Sequence, residues 1–262
     1  MKRLITSRLG QQLMRAFKDA VTVLLLVSAF VWSHLRQSER ICKKVDVRIS
    51  NEAENHFLEE RDVAQAIASE RNNLISLRRD DSISLYHIEQ RVNSLTYVRN
   101  AQTWKDLAGT LHIDIDLHKP IARLLHPSGD MYLCPQGKVL PLSNKYTARV
   151  ITVSGAGVQQ LLQPKEEYME QSTKIIQLLA DINANPAWKS IVSHIDINPH
   201  FQLQRYPAVG NEIIEFGTAD NHAAKLSKLE HYYSRIIPAK GWEAYSKVIL
   251  KFNGQIICEK KS

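Results

Sequence analysis

The sequence predicts an α+β protein carried on a stalk: a single N-terminal transmembrane helix, a small β-α-α-β-β module, then a mostly antiparallel β domain with two helices. Three observations predict it. An uncharged apolar run, Ala20 to Leu35, follows a basic start. Strict alternation at Val45 to Ile49 and at Leu111 to Leu117 brackets two stretches of helical spacing. From Lys119 onward, short alternating runs are separated by Pro, Gly and Asn turn signals.

The apolar run, AVTVLLLVSAFVWSHL, has 16 residues. As a helix it rises about 24 Å, against a hydrocarbon core of ~30 Å. Lys18 and Arg36 can snorkel to the two interfaces and Trp32 suits the headgroup layer, which makes a short span over residues 20–36 tolerable. The competing reading is a cleaved signal peptide, which a basic start and a short apolar core also fit. Trp32 to Arg36 offer no small-x-small cleavage pattern, which favours an uncleaved anchor behind a tail of residues 1–19. Five Lys/Arg precede the run (Lys2, Arg3, Arg8, Arg15, Lys18) and five follow it (Arg36, Arg40, Lys43, Lys44, Arg48), so basic residues alone do not orient it. Asp19 is the only acid before the run, a weak vote for a cytoplasmic N-terminus.

A length of 262 residues, 44% hydrophobic and 7% aromatic, allows about two modest domains beyond the anchor. The net charge of +7 is concentrated in the tail; elsewhere both signs are interspersed, the mark of a solvated surface and not of a nucleic-acid binder. Cys42, Cys134 and Cys258 stand far apart without C-x-x-C spacing, which argues against a zinc or redox motif. In an oxidising compartment one pair could close, leaving an odd thiol. No cofactor, metal or small-molecule substrate is expected.

Val45, Val47 and Ile49 share one face of a first strand. A helix over residues 58–69 uses Val63 and Ile67, Asn72-Asn73 breaks the pattern, and a second helix capped by Asp81 or Ser82 lines up Leu85, Ile88, Val92 and Leu95. Strands Tyr97 to Trp104 and Thr110 to Leu117 complete the order of a POTRA module, residues 42–118, whose small sheet leaves an open edge. In residues 119–262, hairpins are expected from Ile121 to His126, Met131 to Cys134 and Val139 to Leu142, then a strand from Ala148 to Val153. A helix from Lys165 to Asn183 stops before Pro186; a strand meander (188–198, 201–207, 211–217) is broken at Asn198-Pro199 and Gly210-Asn211; a second helix covers 221–236. The chain closes with Tyr245 to Phe252, Asn253-Gly254 and Gln255 to Lys260, read as a two-residue type I′ hairpin with positive φ at both turn positions.

Four groupings invite a chemical reading. His112, Asp114 and Asp116 share one side of a strand, but alternate residues lie ~6.8 Å apart, too far to share an ion comfortably, so a solvated face is expected; His194 and Asp196 read the same way. Ser154-Gly155-Ala156-Gly157 lacks the rest of a phosphate-binding motif and reads as a turn. Composition leaves a Ser-His-Asp set open, although no Gly-x-Ser-x-Gly elbow exists. Tyr232, Tyr233, Trp242 and Tyr245 are explained by packing of the last helix on the last hairpin, with a stacking platform as the alternative.

The stretch TLHIDIDLHKPIARLLHPSGDMYLCPQGKVLPL, with Lys119, Pro120, Ala122, Tyr132, Leu133, Gly137 and Pro141, resembles the junction of the POTRA and β domains in the FtsQ/DivIB family. FGTADNHAAKLSKLEHYYSRII followed by YSKVILKFNGQIICEK is similar to that family's closing glycine, helix and hairpin, with Ile249 where the family carries an acid and Lys251-Phe252 keeping a base before an aromatic. The resemblance covers nearly the whole chain as an order of parts.

It implies a non-enzymatic, single-pass inner-membrane protein with its folded part in the periplasm, holding FtsB- and FtsL-like partners at the division septum through strand addition to the C-terminal strand. The partner-binding residues so implied are Lys251, Phe252, Gly254, Gln255, Ile256, Ile257, Cys258 and Glu259. Gln255, Ile257 and Glu259 would face one way, Ile256, Cys258 and Lys260 the other. Proline at Ile257 is expected to abolish partner binding, and to unfold the domain as well if Ile257 donates within its own hairpin. The alternative is a POTRA-containing envelope assembly or secretion factor that hands on unfolded strands, and a periplasmic hydrolase is a more distant one.

Overall fold

A computed structural model describes residues 8–38, 44–50, 55–68, 85–207 and 212–261. Helix α1 (Arg8–Ser38) is continuous over 31 residues, and its apolar side chains, among them Leu24, Leu25, Leu26 and Phe30, are exposed. Among the described residues, no helix is long and apolar enough to cross a membrane. Cys42, the Asn72-Asn73 break, the cap at Asp81 or Ser82 and the Gly210-Asn211 turn lie outside the described residues.

The chain divides into two compact units, one of residues 1–50, 59–95 and 100–115, the other of 51–58, 96–99 and 116–262. In the first, strands β1 (Lys44–Ile49), β2 (Val98–Lys105) and β3 (Thr110–Leu117) form a sheet of order β1-β3-β2, with β1 parallel to β3. Helix α2 (Glu60–Ala68) buries Val63 and Ile67, and α3 (Leu85–Asn93) buries Ile88 and Val92, so the predicted apolar stripes are the packed ones. The border of β2 is not open: α3 covers it with polar side chains. Ala101 N donates to Asn93 Oδ1 at 2.8 Å and Thr103 N donates to Glu89 Oε2 at 3.0 Å. Side chains take the bonds a stray strand would otherwise take.

The second unit is built on nine strands: β4 (Ala122–Leu124), β5 (Met131–Leu133), β6 (Val139–Pro141), β7 (Ile151–Ser154), β8 (Val192–Ile197), β9 (Leu203–Pro207), β10 (Ile213–Gly217), β11 (Tyr245–Ile249) and β12 (Ile257–Lys260). Their order is β12-β11-β10-β9-β8-β7-β4-β5-β6. Most pairs are antiparallel, but β4-β7, β7-β8 and β10-β11 are parallel. Parallel neighbours need crossovers, and the chain makes them with more helices than the two expected: α4 (Val158–Leu162), α5 (Met169–Ala184) and α6 (Pro186–Ile191) lie between β7 and β8. Helix α7 (His222–His231), continued by a π turn (Tyr232–Ile236) and α8 (Ile237–Lys240), links β10 to β11. Ile175, Leu178, Leu179 and Ile182 of α5, with Leu226 and Leu229 of α7, join one apolar core with the sheet.

The expected strand start at residue 188 is replaced by α6. Asn185 Oδ1 accepts from Ala187 N at 2.9 Å and Pro186 takes the first helical position, so Pro186 begins a helix as well as ending one. Phe57 is the centre of a second cluster, stacked on Tyr97 at 4.8 Å and packed on Tyr132 and Tyr146.

Candidate functional site

The hairpin at the C-terminus differs from the predicted type I′ turn. Residues 250–256 form a seven-residue connection, because Ile249 pairs with Ile257. Gly254 has φ +72°, but Asn253 is not among the positive-φ residues. The physical reason is Leu250, fully buried, whose N donates to Glu215 O at 2.9 Å and holds the chain to β10 beyond the end of β11. A two-residue turn would have required the chain to keep pairing with its own return strand instead.

Two charged side chains of neighbouring elements fix this bend. Lys228 of α7 donates from Nζ to Leu250 O at 2.8 Å and also to Phe252 O. Glu215 of β10 accepts from Lys247 and Lys251, each at 2.7 Å, and these lysines hold its carboxyl below the usual range, Lys247 foremost. Neither Lys228 nor Glu215 was foreseeable from local pattern; the carbonyls that Lys228 meets lie 22 and 24 residues along the chain.

Of the eight implied partner-binding residues, Lys251, Phe252, Gly254, Gln255 and Ile256 lie in the connection, and Ile257, Cys258 and Glu259 lie in β12. Lys251 Nζ sits 5.2 Å from the centre of the exposed Phe252 ring. The alternation holds: Ile256 and Cys258 pack against the core, while Ile257 and Glu259 are exposed. Strand β12 is one of the two ends of the nine-stranded sheet and, among the described residues, pairs with β11 alone.

Which backbone groups face out follows from two bonds. Leu250 N points to β10, so Ile249 and Lys247 point to β12 and pair there with Ile257 and Glu259. Lys261 N, in phase with these, donates inward to Ala244 O at 3.3 Å. Cys258 therefore turns its N–H and C=O outward and Lys260 its N–H, while the Lys260 carbonyl accepts from Ser246 Oγ of β11 at 3.4 Å, beside the bulge between Tyr245 and Lys247, and Ile257 donates within its own hairpin. Proline at Ile257 would test folding, not the outer border.

The other groupings resolve structurally. Ser154, His194 and Asp196 do meet, on neighbouring strands β7 and β8: Ser154 Oγ donates to Asp196 Oδ2 at 2.7 Å and lies 3.0 Å from His194 Nε2. The three groups form a polar tie between the neighbouring strands β7 and β8. Gly155 and Gly157 are required by close approach and not by a phosphate. A Cβ on Gly155 (φ +99°) would stand 2.3 Å from Ile197 O, and one on Gly157 2.5 Å from Asn198 O. Gly155→Ala is expected to cost about 3 kcal/mol of stability, read from a denaturant midpoint.

His112 lies between Asp46 and Asp106, 3.2 Å from each through opposite ring nitrogens, and stacks on Trp104. Asp116 pairs with Arg99. Among the described residues no group of three His, Cys, Asp or Glu is placed to hold a metal ion. The Thr110 backbone N–H, then His112, hold the Asp106 carboxyl down to about 2. That is below its unfolded value of ~3.9, so its contribution to stability is complete above the latter and lost as pH falls through the former. Asp106→Asn is expected to flatten the loss of melting temperature between about pH 4 and about pH 2.

Tyr232 is fully buried, Tyr233 contacts Trp242 at 5.9 Å, and Tyr232 contacts Tyr245 at 6.4 Å, which makes this aromatic group packing. Tyr233 also ties together buried Arg205 and Glu212, accepting from Arg205 at 3.3 Å and donating to Glu212 Oε1 at 3.1 Å. Cys134 and Cys258 are free thiols, and burial raises that of Cys134 to about 11.

Comparison with known families agrees with the layout. A family model described as FtsQ/DivIB, C-terminal related, matches residues 119–259, and a POTRA-like domain model matches residues 40–116. No curated protein matches the chain.

Proposed function

The chain belongs to the FtsQ/DivIB family, and from that premise we propose that it is a non-enzymatic cell-division scaffold that holds FtsB- and FtsL-like partners by strand addition along β12. The observation that carries the proposal is the outward-facing Cys258 N–H and C=O and Lys260 N–H, at one end of a sheet whose other eight strands give them a base. Main-chain hydrogen bonds supply affinity in this mode of recognition and alternate side chains supply selectivity.

On this proposal the apolar run of α1, shorter than a full span, holds the chain to the inner membrane by local thinning of the bilayer, its exposed Leu24 to Val27 and Phe30 in contact with lipid, its N-terminus cytoplasmic and the POTRA-like and β domains periplasmic. A fluorescent fusion is expected to concentrate at midcell, and depletion to give filaments. Normal septation in depleted cells would overturn the division role.

A further inference from the structure

A bare strand offers every passing chain the same backbone groups, so selectivity must reside in the side chains beside them. Two rows of side chains run out to this border on the face away from the core. Glu215, Ile249 and Ile257 stand in register across β10, β11 and β12, and so do Ile213, Lys247 and Glu259. Each row ends on a residue with no strand beyond it. Ile257 is 37% exposed, and Glu259 is exposed with Lys247, its register partner, already bonded to Glu215. The border is thus apolar at one position and acidic two residues later.

Because Ile257 and Glu259 bond inward, an antiparallel newcomer meets them in non-hydrogen-bonded pairs, the closer kind, with Cα atoms ~4.5 Å apart. We infer that β12 selects a strand carrying a β-branched or aromatic residue opposite Ile257 and a lysine or arginine two positions away, opposite Glu259. The inference rests on the strand-addition proposal and adds to it the side-chain pattern of the partner.

The test titrates the full chain in lipid nanodiscs with ten-residue threonine-based peptides. One carries Val and Lys two positions apart, and a second carries Val and Glu, each in both residue orders. The Val/Lys peptide is expected to bind about fivefold tighter than the Val/Glu peptide, and Glu259→Lys to invert that preference. Slowed hydrogen exchange at the Cys258 and Lys260 amides reports that binding is at this border. Equal affinity for both peptides with that protection would overturn the side-chain rule and leave strand addition standing. Protection at neither amide by any peptide, or a preference untouched by Glu259→Lys, would also overturn the inference, the former taking strand addition with it.

Discussion

Proline in place of Cys258 or Lys260 is expected to abolish partner binding while leaving the β domain folded, whereas proline in place of Ile257 is expected to melt the last hairpin. The difference is one of phase. Just past the end of β11, Leu250 N reaches Glu215 O, so every second peptide from Leu250 backward serves β10, and those of Ile249 and Lys247 serve β12. Proline has no N–H, and a fixed φ near −65° is tolerated at a strand border whose donor faces solvent. At Cys258 the missing donor belongs to the incoming strand; at Ile257 it belongs to the pair with Ile249. Losing that bond and straining the pairing costs ~3 kcal/mol or more, a large share of a domain's stability. Co-purification of the partner, together with a thermal melt of each variant, separates the two effects. A Cys258→Pro chain that melts normally and still holds its partner would end the strand-addition proposal.

How much of this was legible in the sequence depends on how local each cause is. The strand Thr110 to Leu117 was read to the residue because its alternation is complete and nothing distant modifies it. The apolar stripes of α2 and α3 were equally plain, since a 3.6-residue period survives any choice of neighbour. The last hairpin was found but its turn was misread: Asn-Gly is a strong local signal, and it lost to Leu250, which is drawn into a core assembled from strands far along the chain. The tie among Ser154, His194 and Asp196 was invisible for a related reason. Ser154 lies 40 residues from His194, and only the parallel β7-β8 crossover sets them side by side. Pro186 was read as a stop, although proline at the first position of a helix is as good a start. The edge position of β12 followed from the family resemblance and from its place at the end of the chain, but the phase that decides which peptides face out needed the bonds of Leu250 and Lys261.

Lys228→Met is expected to loosen the same border from behind. The Lys228 ammonium donates to both Leu250 O and Phe252 O, the two carbonyls that bracket the departure of the chain from β11. A hydrogen bond from a charged donor contributes about 1.5–3 kcal/mol, so methionine, with similar length and no donor, should lower the melting temperature by several degrees. The larger consequence lies at the edge. With the bend unpinned, Ile257 and Glu259 should open from β11 more often, and their amides should exchange faster, while those of β8 and β9 stay as they were. A strand that must be ordered at the moment of docking is held less well than one already in place, so partner dissociation should speed up more than association slows. Lys228→Arg keeps the charge and offers a fork of donors to two carbonyls, and it should recover most of the lost residence time. If Lys228→Met left both the β12 amide exchange and the partner's dissociation rate unchanged, the bend would be fixed by Leu250 and Glu215 alone, and the helix behind it would have no part in presenting the strand.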